Sequence, residues 1–244
     1  MGSAQVELAS RVPLEDSAQA LFLREWQTYR KMVDHNYLFH REAYDRLHRF
    51  LVEEVAEPFR FLDVACGDAI ATVRALAGTR IAHYHGIDQS PAALALARES
   101  LTALSCPVVI EQSDFVDALS KLPAPADVVW IGLSLHHLHT PKKLAVLRSI
   151  REIVGERGRL LIYEDVSRNG EDRASWLRRW DAHRPSWLAF TDEEWDAVTA
   201  HVHAADFPET IAGWHELSHV AGFGNVQELF VAPTDLLRMY CFHA

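Results

Sequence analysis

Three aspartates, each at or just past the end of an apolar run, are the residues of this chain whose types and spacing point most directly to a ligand. Asp63 lies in Phe61-Leu62-Asp63-Val64-Ala65-Cys66-Gly67-Asp68-Ala69, Asp88 in His85-Gly86-Ile87-Asp88-Gln89-Ser90, and Asp114 in Gln112-Ser113-Asp114-Phe115. Small residues at 65, 67 and 69 let a backbone approach a ligand closely, where bulk would collide. A carboxylate that ends a strand, as Asp88 does, can accept hydrogen bonds from both hydroxyls of a ribose. Taken singly, each acid serves equally well as a helix cap or a turn residue. Their order along three successive strand ends is what makes a ligand site the expectation.

A second group could move protons. Ser134-Leu135-His136-His137-Leu138-His139 follows the fourth apolar run, and Glu164-Asp165 closes the fifth. Histidine is suited to accept a proton near neutral pH, while the acids could contact a cation, orient a base or cap the next segment. The 14 histidines also raise metal binding, through His136, His137 and His139 or through His201 and His203 with Asp206. Neither group has the three or four convergent ligands of a zinc site, and neighbours such as His136 and His137 do not face one point on a helix. No metal is expected.

The elements that must position these residues alternate. Phe59 to Val64, Ile81 to Ile87, Val108 to Ile110, Val128 to Leu133 and Arg159 to Tyr163 read as strands, continuous in Val, Ile and Leu rather than alternating with polar residues. Such runs imply a parallel sheet covered on both faces. Between them, helical stretches run from about Ala69 to Ala77, Ala92 to Leu104 and Thr140 to Val154, the last two opened by Ser90-Pro91 and Thr140-Pro141 as cap plus proline. A helix from Ile211 to Ala221 ends at Gly222, and Val226 to Val231 with Leu236 to Phe242 forms a terminal hairpin. The expected fold is α/β, a doubly wound, mostly parallel seven-stranded sheet with an antiparallel C-terminal hairpin. The expected parts are an N-terminal helical cap (1–57), a cofactor-binding core (58–165), a helical insertion or lid (166–208) and a C-terminal helix and hairpin (209–244). In the insertion, Thr191 and Glu194 make a capping box, and Trp176, Trp180, Trp187 and Trp195 are expected to supply aromatic surface.

With these residues in place, the chain resembles class I S-adenosylmethionine-dependent methyltransferases from about Phe59 to Glu164, and in outline in the hairpin. The first motif of that family runs acid-x-Gly-x-Gly-x-Gly; here Ala65 and Ala69 replace two glycines and Gly67 keeps the middle one. The resemblance implies S-adenosylmethionine as cofactor and S-adenosylhomocysteine as product. It further implies that Asp63, Ala65, Cys66 and Gly67 lie along the methionine part, Asp88 and Gln89 at the ribose, and Asp114 and Phe115 at the adenine. Gly132 and Leu133, after the fourth strand, complete the implied cofactor set. In this position some family members use a histidine to assist deprotonation, which makes His137 the candidate base; packing beside the cofactor is its alternative role. Tyr29 and Tyr37, in the N-terminal helices, are candidate acceptor contacts, with core packing as their alternative.

Methyl transfer from a sulfonium is an in-line displacement that depends largely on holding the nucleophile close and aligned. The formal net charge of -10 opposes a nucleic-acid substrate, and no run approaches the roughly 20 apolar residues of a membrane span. The opening Met1-Gly2-Ser3-Ala4 carries no signal-like pattern, and three scattered cysteines fit reduced thiols, so a cytoplasmic protein acting on a small-molecule methyl acceptor is expected. The identity of the acceptor and the oligomeric state stay open. Alternative readings are an NAD(P)-dependent oxidoreductase, whose fingerprint fits worse because its first and third glycines fall on Ala65 and Ile70, or a non-catalytic cofactor-binding protein.

Overall fold

Each long apolar run forms a strand in the computed structural model, which describes residues 27–122 and 125–244. The chain divides into two compact units after Leu38. In the first, residues 27–34 form helix α1 and 35–38 a turn; the expected helical stretch before residue 27 lies outside the described residues.

The second unit begins with α2 (His40–Glu54), β1 (Phe59–Val64), α3 (Ile70–Leu76) and β2 (Ile81–Asp88). It continues through α4 (Pro91–Ser100), β3 (Val108–Gln112), α5 (Phe115–Leu119), β4 (Val128–Gly132) and α6 (Thr140–Val154). Then follow β5 (Arg159–Ser167), α7 (Arg173–Asp181), α8 (Asp192–Ala205), β6 (Glu209–Thr210), α9 (Ile211–Ala221), β7 (Asn225–Val231) and β8 (Leu237–His243). The sheet order is β3-β2-β1-β4-β5-β8-β7, with β6 beside β5. Strands β1 to β5 are parallel, while β8 runs antiparallel to both β5 and β7. The two-residue β6, paired to Val166 and Ser167, is the eighth strand that the sequence pattern does not announce.

Burial follows position in that order. Central β4 and β5 are buried nearly throughout, whereas the edge strands β3 and β7 are mostly half-buried or exposed and carry Glu111, Gln112, Gln227 and Glu228. Polar edges of this kind discourage further strand pairing. Leu62, Val64, Val129, Ile131, Leu160 and Ile162 form the middle of the core, packed with Leu147 and Ile150 of α6 and Trp214 and Leu217 of α9. Since β1 lies between β2 and β4, successive crossovers leave β1 in opposite directions. A crevice beyond the C-terminal ends of these strands is where ligands of such sheets bind.

Local chemistry sets the helix starts. Ser90 Oγ accepts the Ala93 N–H at 3.2 Å with Pro91 as the first helical residue. At α8 both halves of the capping box form, Thr191 N–H to Glu194 Oε2 at 2.8 Å and Glu194 N–H to Thr191 Oγ1 at 3.2 Å. Thr140 departs from its expected role: His139 occupies the cap position, and the Thr140 hydroxyl instead donates to Glu209 Oε1 at 2.7 Å. The insertion tryptophans correct another expectation. Trp176, Trp180, Trp187 and Trp195 are 0 to 7% exposed, their rings meeting at 5.2 to 6.3 Å. They are the core of the insertion rather than its surface, since two short helices alone offer too little aliphatic area to bury.

Candidate active site

Between β1 and α3 the chain turns by three left-handed residues, Ala65 (φ 56), Gly67 (φ 55) and Ala69 (φ 55), at the three positions where the methyltransferase motif carries glycine. For alanine this conformation costs roughly 1–2 kcal/mol, so the turn must be held from outside. Asp88, at the end of β2, does this: its Oδ2 accepts the Gly67 N–H at 2.9 Å and its Oδ1 the Ser90 N–H at 2.8 Å. The Cys66 N–H adds a bond to the Ile87 carbonyl at 3.0 Å. Each Asp88 oxygen retains acceptor capacity beyond one N–H, so the same carboxylate can still take ribose hydroxyls.

Asp63 sits beneath this turn, 1% exposed, and accepts the Tyr84 hydroxyl at 2.8 Å. Burial pushes its carboxyl up to about 7; hydrogen bonds from Tyr84 and Thr72 partly offset that, and the nearby Asp88 charge adds to it. Gly86 makes the contact possible, because a Cβ there would lie 2.9 Å from Tyr84 Cε1 and 3.0 Å from Cys66 Sγ. Burial, with Asp63 and Asp88 adding to it, also pushes the Cys66 thiol upward, which keeps it protonated and poorly nucleophilic. Asp114 is exposed and caps α5 by accepting the Val116 N–H at 2.8 Å, while Phe115 packs against the core. Gln89 is exposed directly after Asp88. At the end of β4, Gly132 leaves room for the Trp130 ring, and Leu133 (φ 52) donates its N–H to the Tyr163 carbonyl at 2.8 Å.

The turn after β4 is built differently. Leu135–His137 is one 3₁₀ turn. Glu164 of β5, fully buried, accepts the N–H groups of Ser134 (3.0 Å), Leu135 (2.9 Å) and His136 (3.2 Å) and bonds His136 Nδ1 at 2.8 Å. Burial opposes protonation of His136, but the Asp165, Glu164 and Asp206 carboxylates outweigh it and raise the imidazole to about 9. Asp165 is raised to about 7, first by its own burial. His137 faces outward, its side chain 41% exposed, with Nδ1 3.2 Å from Asp206 Oδ1. Its ring also meets His201, centroids 5.3 Å apart. Lys143, buried in α6, donates to Glu209 Oε1 at 3.0 Å and to the Phe207 carbonyl.

The expected residues are thus distributed unevenly. Asp63, Ala65, Cys66, Gly67 and Asp88 converge on one turn, and Gly132 and Leu133 lead from the adjacent strand into the histidine turn. Asp206, just past α8, is a partner that sequence spacing does not reveal. Tyr29 and Tyr37 belong to the unit ending at Leu38, where Tyr37 stacks on His35 with centroids 5.6 Å apart.

Residues 61–158 match the family described as a methyltransferase domain. No curated protein sequence matches the chain. Among solved structures, an O-methyltransferase family protein from Burkholderia thailandensis superposes with a TM-score of 0.64 at 15% identity, over 84% of this chain and 56% of its own. Magnesium protoporphyrin IX methyltransferase from Synechocystis PCC 6803, solved with S-adenosylhomocysteine bound, gives 0.58 at 15% identity over 84% and 83%. At such identities the likeness is one of fold, and the chain spans about half the length of the first structures it matches. What the comparisons show of this chain is a methyltransferase-domain match over residues 61–158 and a fold shared with these structures.

Proposed function

We propose that the chain transfers the methyl group of S-adenosylmethionine to a small-molecule acceptor, the cofactor lying across the ends of β1, β2 and β3 and the acceptor at the turn after β4. The observation that carries this reading is the Asp88 carboxylate, fixed by the Gly67 and Ser90 N–H groups beside a turn whose left-handed residues bear nothing larger than a methyl group. In it, Asp63 and Tyr84 brace the turn from below. Cys66 and Gly67 border the methionine part, Asp88 and Gln89 take the ribose, Asp114 and Phe115 flank the adenine, and Gly132 and Leu133 line the methyl face. A carboxylate-lined site suits a sulfonium, whose positive charge disappears in the displacement. The net charge of -10 supports a small molecule over a nucleic acid as acceptor.

His137 is the proton acceptor in this reading. The Ala205 carbonyl, 3.4 Å from His137 Nδ1, favours the tautomer with hydrogen on Nδ1, leaving Nε2 as the basic nitrogen. Isothermal calorimetry with S-adenosylhomocysteine tests the cofactor half; binding is expected, with no response to nicotinamide dinucleotides, and the reverse pattern ends the reading. Incubation with methyl-labelled cofactor and a metabolite extract should label at least one small molecule. The His137→Ala variant should cut the labelling rate by about 10²-fold or more with cofactor affinity unchanged; an unchanged rate removes His137 from the chemistry.

A further inference from the structure

Around the histidine turn, the donor atoms are arranged for more than proton transfer. His136 Nδ1 is held by Glu164, which leaves Nε2 as its available nitrogen, 3.8 Å from Asp206 Oδ1. His137 Nδ1 lies 3.2 Å from the same oxygen, and one ligand atom from each of the three residues falls within 4.8 Å of the other two. Asp206 Oδ1 is buried and accepts no hydrogen bond, and Asp165 Oδ1 beside it is in the same condition. A buried carboxylate oxygen in that state is costly unless a cation compensates it. Lys143 is held by Glu209 and the Phe207 carbonyl, so in the metal-free chain the cation nearest these carboxylates is a protonated His136 ring, 3.7 Å from Asp165 Oδ2 and 3.8 Å from Asp206 Oδ1, whose place a bound ion would take.

We propose that His136, His137 and Asp206 form a binding site for a divalent first-row metal ion such as zinc, with a further coordination position open to water or an oxygen ligand. Two imidazole nitrogens and one carboxylate oxygen are a donor set that such ions favour, and three protein ligands leave a position free. Ligands bound at about 2.0–2.1 Å around a tetrahedral ion stand about 3.3 Å apart, close to the 3.2 and 3.8 Å already present. Glu164 supplies the outer carboxylate that fixes the tautomer and direction of a ligating histidine. Histidines adjacent in sequence can converge here because they sit on a single 3₁₀ turn while the third ligand arrives from beyond α8.

The inference deepens the methyl-transfer reading and rests on it only for one consequence. A metal on His137 Nδ1 moves the ring proton to Nε2, so His137 cannot act as base while the ion is bound. The open position then offers an alternative way to polarise an acceptor oxygen.

The test is titration of the full-length chain, stripped with a chelator, with Co²⁺, followed by visible absorption and by zinc competition. One equivalent per chain should bind with the intense bands of a low-coordinate ion. Asp206→Asn, His136→Gln and the exposed His137→Gln should each weaken uptake by at least about 10-fold. Calorimetry with S-adenosylhomocysteine on the same variants checks that each is folded, and at least His137→Gln should retain wild-type affinity. Failure of the folded wild-type chain to take up stoichiometric cobalt overturns the proposal, as does uptake that all three variants leave unchanged. Loss of S-adenosylhomocysteine binding by the wild-type chain with metal uptake intact would instead overturn the methyl-transfer reading and leave the metal site standing.

Discussion

Two turns at the same edge of one sheet, after β1 and after β4, are held by opposite means. The first is a backbone device: three left-handed residues, with the Gly67 N–H reaching a carboxylate 21 residues away on the neighbouring strand. The second is a side-chain device, with three N–H groups and an imidazole gathered on one buried glutamate 28 to 30 residues away. A backbone turn exposes N–H groups and space, which suits a bulky ligand. A carboxylate-held turn instead fixes the direction of titratable rings, which suits proton transfer or ion binding.

The largest way to break this comparison is Glu164→Ala. It leaves three N–H groups and His136 without their acceptor in a buried site, where removing one partner of a buried ionic network costs about 3–5 kcal/mol. Denaturant unfolding should record a loss of that order. A loss below about 1 kcal/mol would mean that the turn after β4 is held by something other than Glu164.

The two turns also differ in how far they could be read from sequence. Small residues at alternate positions between an acid and a helix, and Ser90-Pro91 opening α4, act over a few residues, so the β1 turn and the doubly wound sheet were legible. Strands β1 and β2 fall within a residue of their apolar runs. The β4 turn was legible only in part: Glu164 stands in the sequence as an acid able to orient a base, but its hold on three N–H groups and the approach of Asp206 to His137 come only through the fold. The statement that neighbouring histidines do not face one point applies to an α-helix, whereas His136 and His137 lie on one 3₁₀ turn, with a ligand atom of each within 4.8 Å of one on Asp206. Thr140 and the four tryptophans were misread for the same reason: the Thr140 hydroxyl prefers a distant Glu209 to its own helix, and aromatic surface becomes core once α7 and α8 pack together.

A smaller effect comes from the support beneath the first turn. Burial raises the Asp63 carboxyl to about 7, so the folded chain holds that proton more tightly than the unfolded chain does. The resulting stability is fully present below about pH 4 and is lost as pH rises through about 7. Asp63→Asn, neutral throughout, should remove this dependence, so that wild type loses about 2–3 kcal/mol relative to the variant between pH 5 and pH 7. Parallel denaturant curves at the two pH values measure it. A constant difference between the proteins would show that Asp63 is ionised in the folded state and that the β1 turn, too, rests on a buried charge.

The smallest effect sharpens the comparison from the backbone side. If the β1 turn is strained by its alanines, glycine should relieve it, but the two positions differ in what they give up. Ala65 is half-buried; replacing it removes a left-handed penalty of roughly 1–2 kcal/mol against a glycine entropy cost of roughly 0.5–1 kcal/mol, so Ala65→Gly should stabilise the fold by about 0.5–1 kcal/mol. Ala69 is 2% exposed and its methyl group is packed; losing about 0.8 kcal/mol of burial offsets most of the gain, and Ala69→Gly should be close to neutral. The ordering matters more than either value. Were Ala65→Gly destabilising, the left-handed turn would not be the source of strain, and Asp88 would be bracing the turn for the sake of its ligand rather than to hold two alanines in place.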